Sequence, residues 1–285
     1  MLAIDNASSD DSVALLHGFS VIRNDTNRGF AAAVNQVFEV ARGEFVLLLN
    51  PDVFLEPDYV RETVRALTAA GEAFGSATGK LLRAEGFDIR PTNRIDSLGI
   101  RMTRSGRHLD LMQDQPDDPS LREPFEVFGV SGAAALYRMT FWRDATVGYQ
   151  VFDEDFFAYR EDADLSWRGQ LFGWRALAVP SAVGYHVRRV TPEVRRELPP
   201  EINMHSVKNR FLLRLKNEGL YLALRNAPFE IARDVVVLIA ALTIERSSLP
   251  AFEWLWRNRA RILRTRRIVQ SRRKVGDREL ARWFR

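Results

Sequence analysis

The 285-residue sequence predicts an α/β fold, a sheet with helices on both faces, followed by a basic helical extension. Three observations carry this prediction. Short apolar runs alternate with helix-period segments from Leu2 to Gly71. Acidic turns at Asp5 and Asp52 close two of those runs, and ligands of such sheets sit beyond the carboxyl ends of strands. Charge is also unevenly divided. Residues 251–285 hold 12 Lys+Arg against 3 Asp+Glu, whereas the other 250 residues hold 29 against 34.

Leu2–Ile4 reads as a strand stub that runs into a polar turn from Asp5 to Asp10. Val13–Leu16 opens a helix and Phe19–Arg23 is a short strand. Phe30, Val34, Val37, Phe38 and Ala41 recur at helical spacing, and Gly43 stops that helix. Phe45–Leu49 is a continuous apolar run closed by Asn50-Pro51-Asp52, the pattern of a buried strand ending in a turn. Tyr59–Ala70 is a second helix, stopped by Gly71. Residues 83–125 are polar and rich in Asp, Arg and Pro, which predicts a long excursion or a short hairpin. The small residues Ser131 to Ala135 allow close backbone approach to a ligand. Asp153–Phe172 reads as an acidic turn and a helix, Ala176–Val179 as a strand, and the chain from about Pro192 as Arg-rich helix.

Hydrophobic residues make up 46% and charged residues 27%, which excludes a wholly disordered chain. Cysteine is absent, so a disulfide scaffold, a thiolate zinc site and a Cys nucleophile are excluded. No signal-peptide pattern follows Met1. The apolar run Val235–Leu242 is too short to span a bilayer. A soluble or peripheral protein is expected, with its basic tail on a polyanionic surface.

Three constellations suit chemistry. Asp52 follows an apolar strand, where a carboxylate can hold a divalent cation shared with phosphates, or cap the next helix. Glu161, Asp162 and Asp164 lie between Tyr159 and Trp167. Crowded carboxylates beside apolar rings acquire raised pKa values suited to base catalysis, and acidic residues also complement a helix N-terminus. His186 follows Val179-Pro180-Ser181-Ala182-Val183-Gly184-Tyr185, just after a strand, and has the most site-like setting of the four histidines, whereas His17, His108 and His205 have no identifiable partner.

Taken in order, IDNASSDDS (4–12), NRGFAAAVNQ (27–36), GEFVLLLNPDVFLEPD (43–58), SGAAALYR (131–138), the block from Phe152 to His186 and KNRFLLRLKN (208–217) resemble the inverting family 2 glycosyltransferases of GT-A fold, in their bacterial rhamnosyltransferase-like form. The resemblance implies residues 1–217 as the transferase domain and 218–285 as a basic amphipathic tail. It places Asp5, Asn27 and Asp52 on the nucleotide-sugar donor, Asp52 and His186 on Mg²⁺ or Mn²⁺, and Asp162 as catalytic base. Glu161, Trp167 and Arg168 fall on the acceptor and phosphate side. The implied donor is dTDP-rhamnose or a UDP-sugar, and the acceptor a lipid-linked or cell-envelope glycan.

The resemblance starts inside the family's second strand, so a domain lacking the first strand and helix is expected. That departure motivates a second reading, a non-catalytic nucleotide-sugar or glycan-binding relic. A nucleic-acid-binding protein rests on the tail charge alone, with no accompanying motif. The tail residues Phe252, Trp254, Leu255 and Trp256 with Arg257 to Arg267 fit an anionic membrane surface at the inner face of the cell membrane, or equally packing on the domain or a homo-oligomer contact.

Overall fold

The computed structural model describes residues 1–86, 88–187 and 200–285. Strands β1 (Leu2–Asp5) and β2 (Ser20–Arg23) pair in parallel, Leu2 opposite Ser20 and Asp5 opposite Arg23. Among the described residues this ribbon shares no ladder with the main sheet. The polar turn between them winds into one 3₁₀ turn, Asp11–Leu15, capped by the Asp10 side chain, where the sequence predicts a helix. With no buried residue, that segment has no apolar face to pack a longer helix.

Helix α1 (Phe30–Val40) leads to β3 (Phe45–Leu49), β4 (Val53–Leu55) and α2 (Tyr59–Ala69). β5 (Phe74–Glu85) runs into the polar excursion, which holds the short strands β6 (Arg90–Ser97), β7 (Ile100–Met102) and β8 (His108–Asp110) and ends at β9 (Phe125–Val127). Then follow β10 (Ala134–Arg138), α3 (Met139–Ala145), α4 (Glu161–Leu171) and β11 (Arg175–His186). The main sheet runs β3-β10-β5-β11-β4, with β6 on β5 and β9 on β11. β5 and β11 are parallel, while β10 runs antiparallel to both β3 and β5, so the sheet is mixed. β11 continues past Pro180 to His186 because a register shift between Val179 and Val183 absorbs the proline.

Helices α5 (Pro200–Asn217), α6 (Leu220–Thr243), α7 (Pro250–Arg257), α8 (Arg259–Ser271) and α9 (Asp277–Leu280) follow. The helical expectation for residues 192–199 lies outside the described residues. The extension shares a core with the sheet layer. Leu222, Ile262, Val269, Leu280 and Phe284 pack with Phe128, Phe156, Trp167 and Leu212. The Phe284 ring lies 5.0 Å from that of Trp167. Among the described residues no helix is long and apolar enough to cross a membrane.

Candidate active site

One corner is built where β3 leaves the sheet. The Asn50 N–H donates to the Ala133 carbonyl at 2.9 Å, and Val53 N–H closes the turn on Asn50 O at 3.2 Å. β4 then pairs antiparallel with β11, Val53 opposite His186, and the Val187 N–H donates to Asp52 O. This register sets Asp52 Oδ1 3.5 Å from His186 Nε2. Behind the imidazole, Asp96 Oδ2 lies 2.7 Å from Nδ1, and Asp96 is fully buried. Burial opposes protonation of His186, but Asp52 and Asp96 outweigh it and push its pKa up to about 9.

With its Nε2 proton displaced by the metal, this donor set would suit a divalent cation shared with a substrate. A carboxylate oxygen and an imidazole nitrogen stand side by side, and a second carboxylate on Nδ1 orients the ring, as outer-shell partners of metal-bound histidines do. Among the described residues no group of three or more His, Asp or Glu can hold a metal alone. Remaining coordination would come from phosphate oxygens and water, as is usual for Mg²⁺.

A second corner lies at the start of α4. Asp162 Oδ2 accepts the Gly132 N–H at 3.0 Å, and Oδ1 accepts the Ala163 N–H at 2.7 Å. Burial raises its pKa, while these two N–H groups oppose the rise. Its neighbour Glu161 is buried with Oε2 lacking a hydrogen-bond partner, and burial followed by the Asp162 charge holds its pKa well above the carboxylate range. Burial thus pushes both carboxyls up, while the two N–H donors on Asp162 favour its charged form, the form a base needs. The Ser131–Ala133 turn binds both corners, taking the Asn50 N–H on one side and giving the Gly132 N–H to Asp162 on the other.

The segment entering α4 is strained. Phe157, Tyr159 and Arg160 have φ of 64°, 69° and 73°. Asn209 of α5 holds it in place, donating Nδ2 to the carbonyls of Phe156, Ala158 and Tyr159 at 2.8–2.9 Å. Lys208 Nζ adds a bond to Asp155 O.

Asp5 and Asn27 lie at the ribbon end. Asp5 Oδ1 accepts the Ser8 N–H, and Asn27 Oδ1 accepts from Asn6 Nδ2 and from the Gly29 N–H. Gly29, at φ 82°, touches the Phe157 segment so closely that a Cβ would lie 2.5 Å from its ring. Ala31 N–H also donates to Phe157 O. The ribbon end and the strained segment are thereby joined.

The structure brings Asp52 to His186 and ties their turn to Asp162. It corrects the placement of Trp167 and Arg168. Trp167 is fully buried against Phe128 and Phe284. Arg168 is equally enclosed, paired with Asp164 at 2.8 Å and donating to the carbonyls of Ala145 and Val151. Both point into the core because α4 is buried along nearly its whole length. Asp96, Asn209 and Asn35 were not singled out by the sequence. Asn35 bonds the backbone of Val151 and Phe152 and the Glu154 carboxylate. Asn35 and Asn209 do lie inside segments that carry the resemblance, whereas Asp96 lies in the patternless stretch 83–125.

Fold and site together define a mixed α/β domain in which one turn ties an Asp–His pair to a buried carboxylate. The model of the family described as "Glycosyl transferase family 2" matches residues 1–141. The chain is 26% identical over 213 residues, 74% of its length, to "Putative glycosyltransferase EpsH" of Bacillus subtilis (strain 168), and spans 52% of that relative. The structure of GalNAc-T7 with UDP, GalNAc and Mn²⁺ shares the fold, with TM-score 0.57 and 15% identity, covering 75% of this chain and 41% of that one. The Pyrobaculum calidifontis mannosyltransferase PcManGT with GDP-Man and Mn²⁺ aligns over 95% of this chain and 73% of that one at TM-score 0.48 and 17% identity. The chain thus spans about half the length of the curated relative it matches.

Proposed function

We propose that this chain is an inverting glycosyltransferase that moves a rhamnose-like sugar from a nucleoside-diphosphate donor to a lipid-linked or cell-envelope glycan. The observation that carries the reading is the Ser131–Ala133 turn, which ties Asp162 to the turn that bears Asp52 beside His186. Asp162 accepts the proton of the acceptor hydroxyl as its oxygen attacks the anomeric carbon. The bond from that carbon to the diphosphate oxygen breaks on the opposite face, and the configuration inverts. Asp52 and His186 would hold Mg²⁺ or Mn²⁺, which supplies positive charge to the leaving diphosphate. Asp5 and Asn27 contact the nucleoside, and the neutral Glu161 borders the acceptor. The relative named a glycosyltransferase supports the reaction class, and the presence of UDP and Mn²⁺ in the GalNAc-T7 structure supports the donor chemistry.

Residues 1–217 form the transferring part in this reading. Residues 218–285 pack on it and meet an anionic membrane surface at the cytoplasmic face. Assaying a panel of dTDP-, UDP- and GDP-sugars with Mn²⁺, with the product anomer read by NMR, tests the proposal. A retained configuration, or no turnover with any donor, defeats it. The second reading, a binding form without turnover, is favoured by one feature: the β1–β2 ribbon carrying Asp5 is not laddered to the main sheet. Nucleotide binding without product would select it.

A further inference from the structure

Helix α6 has its polarity reversed. The face it turns to the domain carries Asn226 and Glu230, both buried, and Asp234. Arg214 of α5 pairs with Glu230 at 2.9 Å and with Asp234, and Arg210 pairs with Asp234 at 3.2 Å. The opposite side is apolar. Leu224, Ile231, Val235, Leu238, Ile239, Leu242 and the adjoining Ile244 are 44–80% exposed. Positions 224, 231, 235, 238 and 242 recur at helical spacing and so share a face. No charged residue interrupts the sequence between Asp234 and Glu245. An amphipathic helix set against water shows the reverse arrangement, and an exposed apolar strip of this size marks an interaction surface.

We infer that the outward face of α6 enters the headgroup–acyl boundary of an anionic membrane and is the apolar part of the attachment. Charge selects lipid as the occupant. Arg246 is exposed just beyond the helix. On α7 and α8, Trp256, Arg257, Arg259, Arg264 and Arg267 are exposed, with Arg259 stacked over the Trp256 ring at 4.3 Å. Arg246 adjoins the apolar strip and the other exposed arginines of the extension add positive charge, and cationic residues with an apolar strip complement anionic headgroups above acyl chains. The extension's other arginines are partly consumed in holding the fold. Arg261 pairs with Asp155 at 2.6 Å and Arg273 with Asp277 at 2.6 Å. The anchor therefore cannot be the tail charge alone. This inference rests on the peripheral-membrane part of the proposed function and assigns its apolar contact to α6.

The test uses the full chain and vesicles of phosphatidylcholine with or without phosphatidylglycerol. Ile231→Gln, Val235→Gln, Leu238→Gln and Leu242→Gln together leave charge unchanged. They should lower partitioning onto phosphatidylglycerol vesicles about 100-fold, with circular dichroism and nucleotide binding retained. Because the chain has no cysteine, Ile239→Cys accepts a single environment-sensitive fluorophore. Its emission should shift blue on phosphatidylglycerol vesicles and be quenched by brominated acyl chains, whereas the same label at Thr68 of α2 should not respond. If the parent binds and the quadruple variant binds equally, the α6 inference fails while the peripheral reading stands. If the parent binds neither vesicle, both fail. A label already blue-shifted without vesicles in a particle of doubled mass makes the face a contact between copies and overturns the inference. Equal binding to both vesicle types overturns the role given to the exposed arginines.

Discussion

Asp96 and His186 reach each other across β5. Asp96 lies on β6 and His186 on β11, the strands flanking the second half of β5, and their side chains meet at 2.7 Å. The contact leaves Nε2 directed at Asp52. Asp96→Asn should preserve the fold yet weaken Mn²⁺-dependent nucleotide binding about 10–100-fold, the usual cost of losing a partner behind a metal-bound histidine. Asp52→Ala should abolish that dependence and His186→Ala should weaken it. Calorimetry with and without chelator reads all three. Equal affinities under both conditions would remove the metal from this corner.

Asp162→Asn keeps the side-chain shape and its Ala163 and Gly132 neighbours but cannot take a proton. Turnover should fall about 10²–10⁴-fold with nucleotide affinity unchanged. Wild-type turnover in this variant would exclude Asp162 as the base.

Asn209→Ala removes three hydrogen bonds to a strained segment. Leaving those carbonyls without their donor should cost about 1–3 kcal/mol in stability, read by urea denaturation. It should also lower kcat more than nucleotide affinity, since Asp162 directly follows the segment.

Burial, reinforced by the charge of Glu230, raises the Glu218 pKa from 4.5 to about 8. The folded chain keeps this proton where the unfolded chain has released it. Its contribution to stability is therefore complete below about 4.5 and lost as pH rises through 8. Glu218→Gln should flatten the stability profile across that window and raise stability at its upper end. Parallel profiles for parent and variant, measured by chemical denaturation, would show that the group does not titrate there.

The alternation of apolar runs and helix-period segments made the layers legible, and the two acidic turns located the ends where Asp52 and Asp5 lie. Pro180 hid the second half of β11, because a proline inside a strand reads as its end unless a bulge accommodates it. The stretch 83–125 hid β6 and Asp96 for another reason. β6 begins polar and exposed at Arg90 and becomes buried only at Ile95, so no alternation of period two marks it. Trp167 and Arg168 were placed on the acceptor and phosphate side by the resemblance alone, which carries no information on burial. Only the pairing of Arg168 with Asp164 shows why it can be enclosed.

The β1–β2 ribbon is fastened to α1 by amide side chains. Asn24 and Gln36 exchange hydrogen bonds at 2.8 and 3.3 Å, and Asn6 donates to the Gly29 carbonyl at 3.2 Å. Such fastenings open at far lower free energy than a buried ladder. The ribbon is thus a cooperative unit of its own, and its amides should lose hydrogen-exchange protection while those of β5 and β11 are still closed. The end bearing Asp5 and Asn27 should then loosen and re-form while the corner that joins Asp52 to His186 stays closed.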